Sequence, residues 1–126
     1  MTVNLEKEKT NIDVVPHATT SETLTGAFKN KWVIVRSRNE GVNFGRMAYA
    51  DENTVIIILA RRLWFYRPED TDQSWYEGVA NSGASADSKL SPSVDMKAIV
   101  EPYSLTLCTT KASENLQNHP SHKQTK

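Results

Sequence analysis

The chain has 126 residues, enough for one domain. Its 15 Lys and Arg balance 15 Asp and Glu, which disfavours a general nucleic-acid coat, because such a protein gains affinity by neutralising phosphates. The single cysteine, Cys108, excludes an intrachain disulfide and a cysteine-rich zinc site, and the longest apolar run, Val55 to Ala60, is far short of the roughly 20 residues that span a bilayer.

The first 27 residues mix Thr, Ser, Glu, Lys and Asn with scattered Val and Leu, and are expected to form a flexible arm. Glu6 to Lys9 occupy the place where a signal peptide needs apolar residues, so a soluble protein of a reducing compartment is expected. Two parts of the arm could order on contact with a partner: Ile12 to Val15, and a weak helix after Thr19-Thr20-Ser21-Glu22, a stretch with capping-box spacing from Thr19 to Glu22. Strands then begin at Lys31. Trp32 to Arg36 is aromatic and β-branched, Ser37 to Gly41 is a turn, and Val42 to Tyr49 is a second strand in which Gly45 predicts a bulge, a bend or a close backbone approach. After the Asp51–Asn53 turn, Thr54 to Leu59 is apolar on both sides and predicts a central strand covered on both faces. Ala60 to Tyr66 is a further extended segment, ended by Arg67-Pro68.

A short helix is predicted over about Asp72 to Ala80; Thr71 or Asp72 could cap it, Ser74 with Glu77 has capping-box spacing, and Trp75 and Val79 lie four apart on one face. Asn81 to Pro92, rich in Ser, Ala, Asp and Gly, reads as the most mobile loop of the domain. Val94 to Val100 and Tyr103 to Cys108 are two more strands. Thr109 or Thr110 can cap a closing helix through Leu116, and a polar tail covers 117–126. The expected architecture is α+β: a mostly antiparallel twisted sheet of five or six strands, with a barrel-like curl as the alternative, and one or two short helices. It occupies residues 28–116, between the arm at 1–27 and the tail.

The composition offers little to catalysis. His17, His119 and His122 all fall outside the expected core, which removes the usual base of a Ser/His or Cys/His triad. Pro120 separates His119 from His122, and two isolated histidines do not make a metal site. Cys108 lies in an apolar strand with no neighbouring positive charge, as a structural thiol does. Glu69, Asp70, Asp72 and Glu77 cluster but read as a solvated loop and helix start, although a divalent-ion enzyme built on them stays open. No catalytic residue, cofactor or metal is expected.

The strongest lead is Arg61-Arg62-Leu63-Trp64-Phe65-Tyr66-Arg67. On a period of two, Leu63 and Phe65 share one face while Arg62, Trp64 and Tyr66 share the other, a row of one guanidinium and two rings. Arg61, Arg62, Trp64 and Tyr66 are therefore candidate binding residues, for a protein hot spot or for a nucleotide. The plainer alternative packs Trp64 against the helix carrying Trp75 and pairs the arginines with nearby acids.

These residues, with Val33-Ile34-Val35-Arg36, Gly41-Val42, Gly45, Gly78-Val79, Ile99-Val100-Glu101, Cys108-Thr109-Thr110 and Ala112, resemble a family of small, largely uncharacterised proteins of tailed bacteriophages and prophages. The likeness spans about residues 31–113. It departs at 67–72, where the family carries small residues, and at Tyr103-Ser104, where the family is more apolar. The resemblance implies a viral origin and one compact domain, and supplies no catalytic residues. The expectation is a non-enzymatic phage accessory or minor structural protein. It would act in the host cytoplasm or in the virion through contacts with itself or with another phage or host protein. The alternative is a module that sequesters a nucleotide signal of host defence.

Overall fold

The computed structural model of the chain describes residues 20–122. The order of elements is α1 (Thr20–Phe28), β1 (Trp32–Ser37), β2 (Gly41–Ala50), β3 (Thr54–Phe65), α2 (Trp75–Ser82), β4 (Lys89–Leu90), β5 (Val94–Val100), β6 (Pro102–Leu107) and α3 (Thr110–Asn118). The strands make one antiparallel sheet in the order β4-β3-β2-β1-β6, with β5 also paired to β3. This is the expected α+β architecture, with three helices among the described residues where one or two were expected. Among the described residues, no helix is long and apolar enough to cross a membrane.

The sheet curls but is not closed. β5 lies along β3, β6 lies along β1 at the opposite edge, and Glu101 alone joins them. Glu101 turns the corner with φ +53° and donates its N–H to the Asn53 carbonyl at 2.8 Å. The two segments expected as separate strands on either side of Leu59 are one strand, β3. Leu59 takes φ +54°, and the β2–β3 register shifts between the pairs Arg46–Ile58 and Phe44–Arg61, so the strand bends without ending. Gly45 stands at that shift. A Cβ on it would come within 2.9 Å of the Ile57 Cβ, which is the close approach the sequence predicts.

Alternation along the strands builds two cores. One holds Ile34, Val42, Phe44, Leu63 and Leu90 under α2 and α3, which contribute Val79, Ala80, Ala112 and Leu116. Trp32 packs on it, stacked on Phe44 with ring centroids 5.1 Å apart. The other, inside the curl, holds Val33, Val35, Met47, Ala50, Val55, Ile57, Ala60 and Ile99, with Leu24 and Phe28 of α1 against it. Thr25 anchors α1: its hydroxyl donates to the Ala50 carbonyl and accepts from the Ala50 N–H.

Three expectations change. The strands buried on both faces are β1, where Val33, Ile34 and Val35 are all inaccessible, and the start of β2, where Val42 to Gly45 are buried; Ile56 and Ile58 of β3 are only half-buried, because the helices do not reach that part of the sheet. The stretch Asn81 to Pro92 is not a loose loop. Ser82, Ala84, Ser88 and Leu90 are buried, Ser85 N–H and Arg67 C=O pair, and the Ser88 hydroxyl accepts from Arg67 N–H. Small residues here permit close packing, and serine hydroxyls satisfy the backbone that a regular ladder would otherwise serve. Finally, the domain outruns both expected bounds. α1 starts inside the expected arm, and at the other end α3 runs to Asn118, His119 is buried, and Ser121 bridges to Leu90. Residues 1–19, including Ile12 to Val15 and His17, lie outside the described residues.

A candidate recognition cleft beside the arginine-aromatic strand

The arginine-aromatic segment is extended through Phe65, but it does not present one face. Adjacent strand residues point to opposite sides of a sheet. Arg61 follows Leu63 toward the helices and is buried. Its Nε donates to the Ser91 carbonyl at 2.8 Å, Nη1 to the Leu116 carbonyl at 2.6 Å, and Nη2 to the Ser121 hydroxyl at 3.2 Å. Leu116 sits in the last turn of α3, where carbonyls lack intrahelical partners and the helix dipole attracts a cation. Burial pushes the Arg61 pKa below its usual value. The expected surface residue is thus a clamp tying β3 to the end of α3 and the segment after it.

Arg62 points the other way and is half-buried. It packs beside Gly41, and its charge adds to that of Lys97 in lowering the Glu40 pKa; the main cause is the hydrogen bond from Lys97, whose Nζ lies 2.8 Å from Glu40 Oε1. Trp64 is 51% exposed and meets the His122 ring edge-on at 5.4 Å, so it packs against the chain's C-terminal segment and not against the helix bearing Trp75. Tyr66 lies past the end of β3, beyond a register shift between Leu63 and Phe65. It leans on the helix-side core, and burial raises its pKa. The expected row of Arg62, Trp64 and Tyr66 is therefore broken by the irregularity in the strand.

Past that break the chain forms a cleft of about 540 Å³ lined by Tyr66, Arg67, Pro68, Glu69, Trp75 and Asp87. Pro68 bridges to Ala84 and rests on Gly78, where a Cβ would come within 2.7 Å of the proline Cγ; this contact sets the strand end against α2. Arg67 lies over the Phe65 ring at 5.3 Å and pairs with Asp87 at 3.5 Å. The Ser85 hydroxyl, which donates to Asp87, is the main cause of that carboxyl's lowered pKa.

Trp75 is a further residue that sequence reasoning misplaced. It opens α2 with φ +62° and is 73% exposed, while Val79, expected on the same face, is fully buried. The four-residue rule needs both residues to be helical, and a left-handed residue 75 swings its ring off that face. Such a backbone costs a bulky residue about 1–2 kcal/mol. The cap itself is weak: Ser74 occupies the N-cap position without a side-chain hydrogen bond, and neither Thr71 nor Asp72 takes that place. Two sequence signals, an aromatic directly after a serine cap and the preceding Asp-rich turn, were compatible with this but did not require it.

The remaining chemical candidates are structural. Burial pushes the Cys108 thiol up to about 12, which keeps it protonated and poorly nucleophilic. Thr109 caps α3, accepting from Ala112 N–H at 3.0 Å. His119, expected in a loose tail, is buried with Nε2 at 2.9 Å from the Ser85 carbonyl and Nδ1 at 3.0 Å from the Pro120 carbonyl. Glu69, Asp70, Asp72 and Glu77 are exposed, and Asp70 is spent on its own turn, accepting from Asp72 N–H and Gln73 Nε2. Among the described residues, no three His, Cys, Asp or Glu side chains gather where they could hold a metal ion.

A family model described as a domain of unknown function (DUF6948) matches residues 30–116. No curated protein and no solved structure matches the chain.

Proposed function

The chain belongs to the DUF6948 family, and we propose that it is a non-enzymatic protein that works through protein contacts, as an oligomer. The observation that carries the reading is Trp75, a large ring held out of the fold at an energetic cost, beside a cleft that also offers Tyr66 and Arg67. Trp, Tyr and Arg are the side chains that dominate binding energy at protein interfaces. The phage origin, and action as an accessory or minor virion component in the host cytoplasm, rest on the sequence resemblance. Sedimentation velocity across micromolar concentrations tests the oligomer; a monomer at every concentration overturns it.

The second reading is a nucleotide-sequestering module, in which Trp75 and Tyr66 stack a base and Arg67 meets a phosphate. Glu69 and Asp87 in the same cleft oppose a phosphate and make this the weaker reading. A thermal-shift screen against cyclic and linear nucleotides decides it: a ligand at a hundred times its Kd adds about 2.7 kcal/mol of stability, so a flat screen rejects this reading.

A further inference from the structure

The edges of the sheet are not equally protected. β4 is two residues long, and β6 opens with Pro102 and has a register shift in its ladder with β1. Short strands, prolines and bulges are what keeps sheet edges from pairing with other chains. β5, seven residues long, has no proline or bulge, and of the charges that also discourage edge pairing it carries only Asp95 and Lys97. It makes six pairs with β3 in one register, from Thr54–Val100 to Ala60–Val94 and interrupted only at Leu59–Asp95, and among the described residues no strand lies along its other edge. Its outer face is apolar and open: Val94 is 51% exposed, Met96 64% and Val100 51%, with Ala98 exposed between them. The opposite face carries Asp95, exposed, and Lys97, which reaches Glu40 and Asn43.

Deepening the oligomer reading and resting on it, we infer that β5 pairs antiparallel with β5 of a second copy, about a twofold axis at Met96. The sequence Val94-Asp95-Met96-Lys97-Ala98 is complementary to itself in that register. Asp95 faces the second copy's Lys97, twice; Val94 faces Ala98, twice; Met96 faces its own counterpart. Opposite charges directly across a strand pair stabilise it, and like charges destabilise it. A slip of one residue sets outer side chains against inner ones. A slip of two sets Asp95 against Asp95 in one direction and Lys97 against Lys97 in the other. The charges therefore select one register, and an isologous contact of this kind closes as a dimer.

The test uses the full chain. Met96→Cys should give a disulfide-linked dimer on mild oxidation, because two residues facing each other across a strand pair lie within disulfide reach. Val94→Cys, at similar exposure, should not, since its two copies would stand roughly 13 Å apart along the strands. Asp95→Lys should raise the dimer dissociation constant at least about tenfold in sedimentation, and Lys97→Asp likewise, because each variant sets like charges together. An equimolar mixture of the two should dimerise again, since each introduced charge then faces its opposite. Should the parent chain dimerise while Met96→Cys fails to cross-link, or should Asp95→Lys leave the dimer intact, the contact lies elsewhere; the oligomer reading stands and this one falls. Cross-linking of Met96→Cys that requires removal of residues 1–19 assigns the edge to the chain's own N-terminal segment and overturns the proposal too. A chain that is monomeric throughout overturns both readings together.

Discussion

The two halves of the sheet's outer face have similar sequences and opposite fates. On one half, Ile34, Val42, Phe44 and Leu63 lie under α2 and α3 and are buried. On the other, Ile56 and Ile58 with Val94, Met96 and Val100 form an equally apolar surface that is half-buried or open. The first half supplies stability. The second contributes less to the fold than its composition suggests, and so is the half available for contact. The same contrast recurs in single residues: Arg61 is hidden in the covered half, whereas Trp75 stands outside it.

The contrast can be broken most forcefully at Phe44. Phe44→Ala should cost about 3–5 kcal/mol, read from urea unfolding, because it opens a cavity under the stacked Trp32 ring. Met96→Ala in the open half should change the stability of the monomer by less than about 0.5 kcal/mol. Equal losses at the two sites would show that the open half is packed after all. Next in size, Arg61→Ala should cost about 2–3 kcal/mol, since it leaves the part-buried Ser91 carbonyl and the buried Leu116 carbonyl without their guanidinium donors. Arg61→Lys should recover only part of this, because one ammonium cannot reproduce the three-way guanidinium fork. Full recovery would reduce Arg61 to a point charge.

Cys108 sharpens the picture from the covered side through pH. Its folded pKa, about 12, lies above the unfolded value near 8.5, so the unfolded chain holds fewer protons between those values. The burial of the neutral thiol therefore stabilises fully below about pH 8.5, and that contribution is lost as pH rises toward 12, at about 1.4 kcal/mol per unit within the window. The stability difference between the parent chain and Cys108→Ala should shrink over that range in parallel urea titrations. A constant difference would mean the thiol is not desolvated. The smallest effect is expected at Trp75. Trp75→Gly should leave stability unchanged or raise it by up to about 1 kcal/mol, because glycine adopts φ +62° without strain. A marked loss would place the ring in the fold's own packing and remove it from the recognition surface.

Much of the fold was legible in the residues. The strand runs, the Gly45 approach, the Thr109 cap and the structural character of Cys108 follow from local rules, because each depends on neighbours a few positions away. The site was less so. Arg61 and Arg62 are the same residue type in the same strand, and their environments differ because alternation sends one under α3 and the other beside Gly41. Nothing local says which side a helix some fifty positions later will cover. The serine-rich stretch misled for a related reason: small polar residues are found both where a chain is loose and where it must pass close to another backbone, and only the partners distinguish the two cases.

By itself, the amino-acid sequence determined the extended segments, most of their turns, the Thr109 cap and the alternating pattern that gives each strand two distinct faces. Tertiary structure alone decided which face was covered, which strand was left as an unprotected edge, and that Trp75 turned outward. These outcomes depend on pairings between residues far apart in the chain, which favour one register and one helix placement through the surface they bury together, and no short window of sequence contains both sides of such a contact.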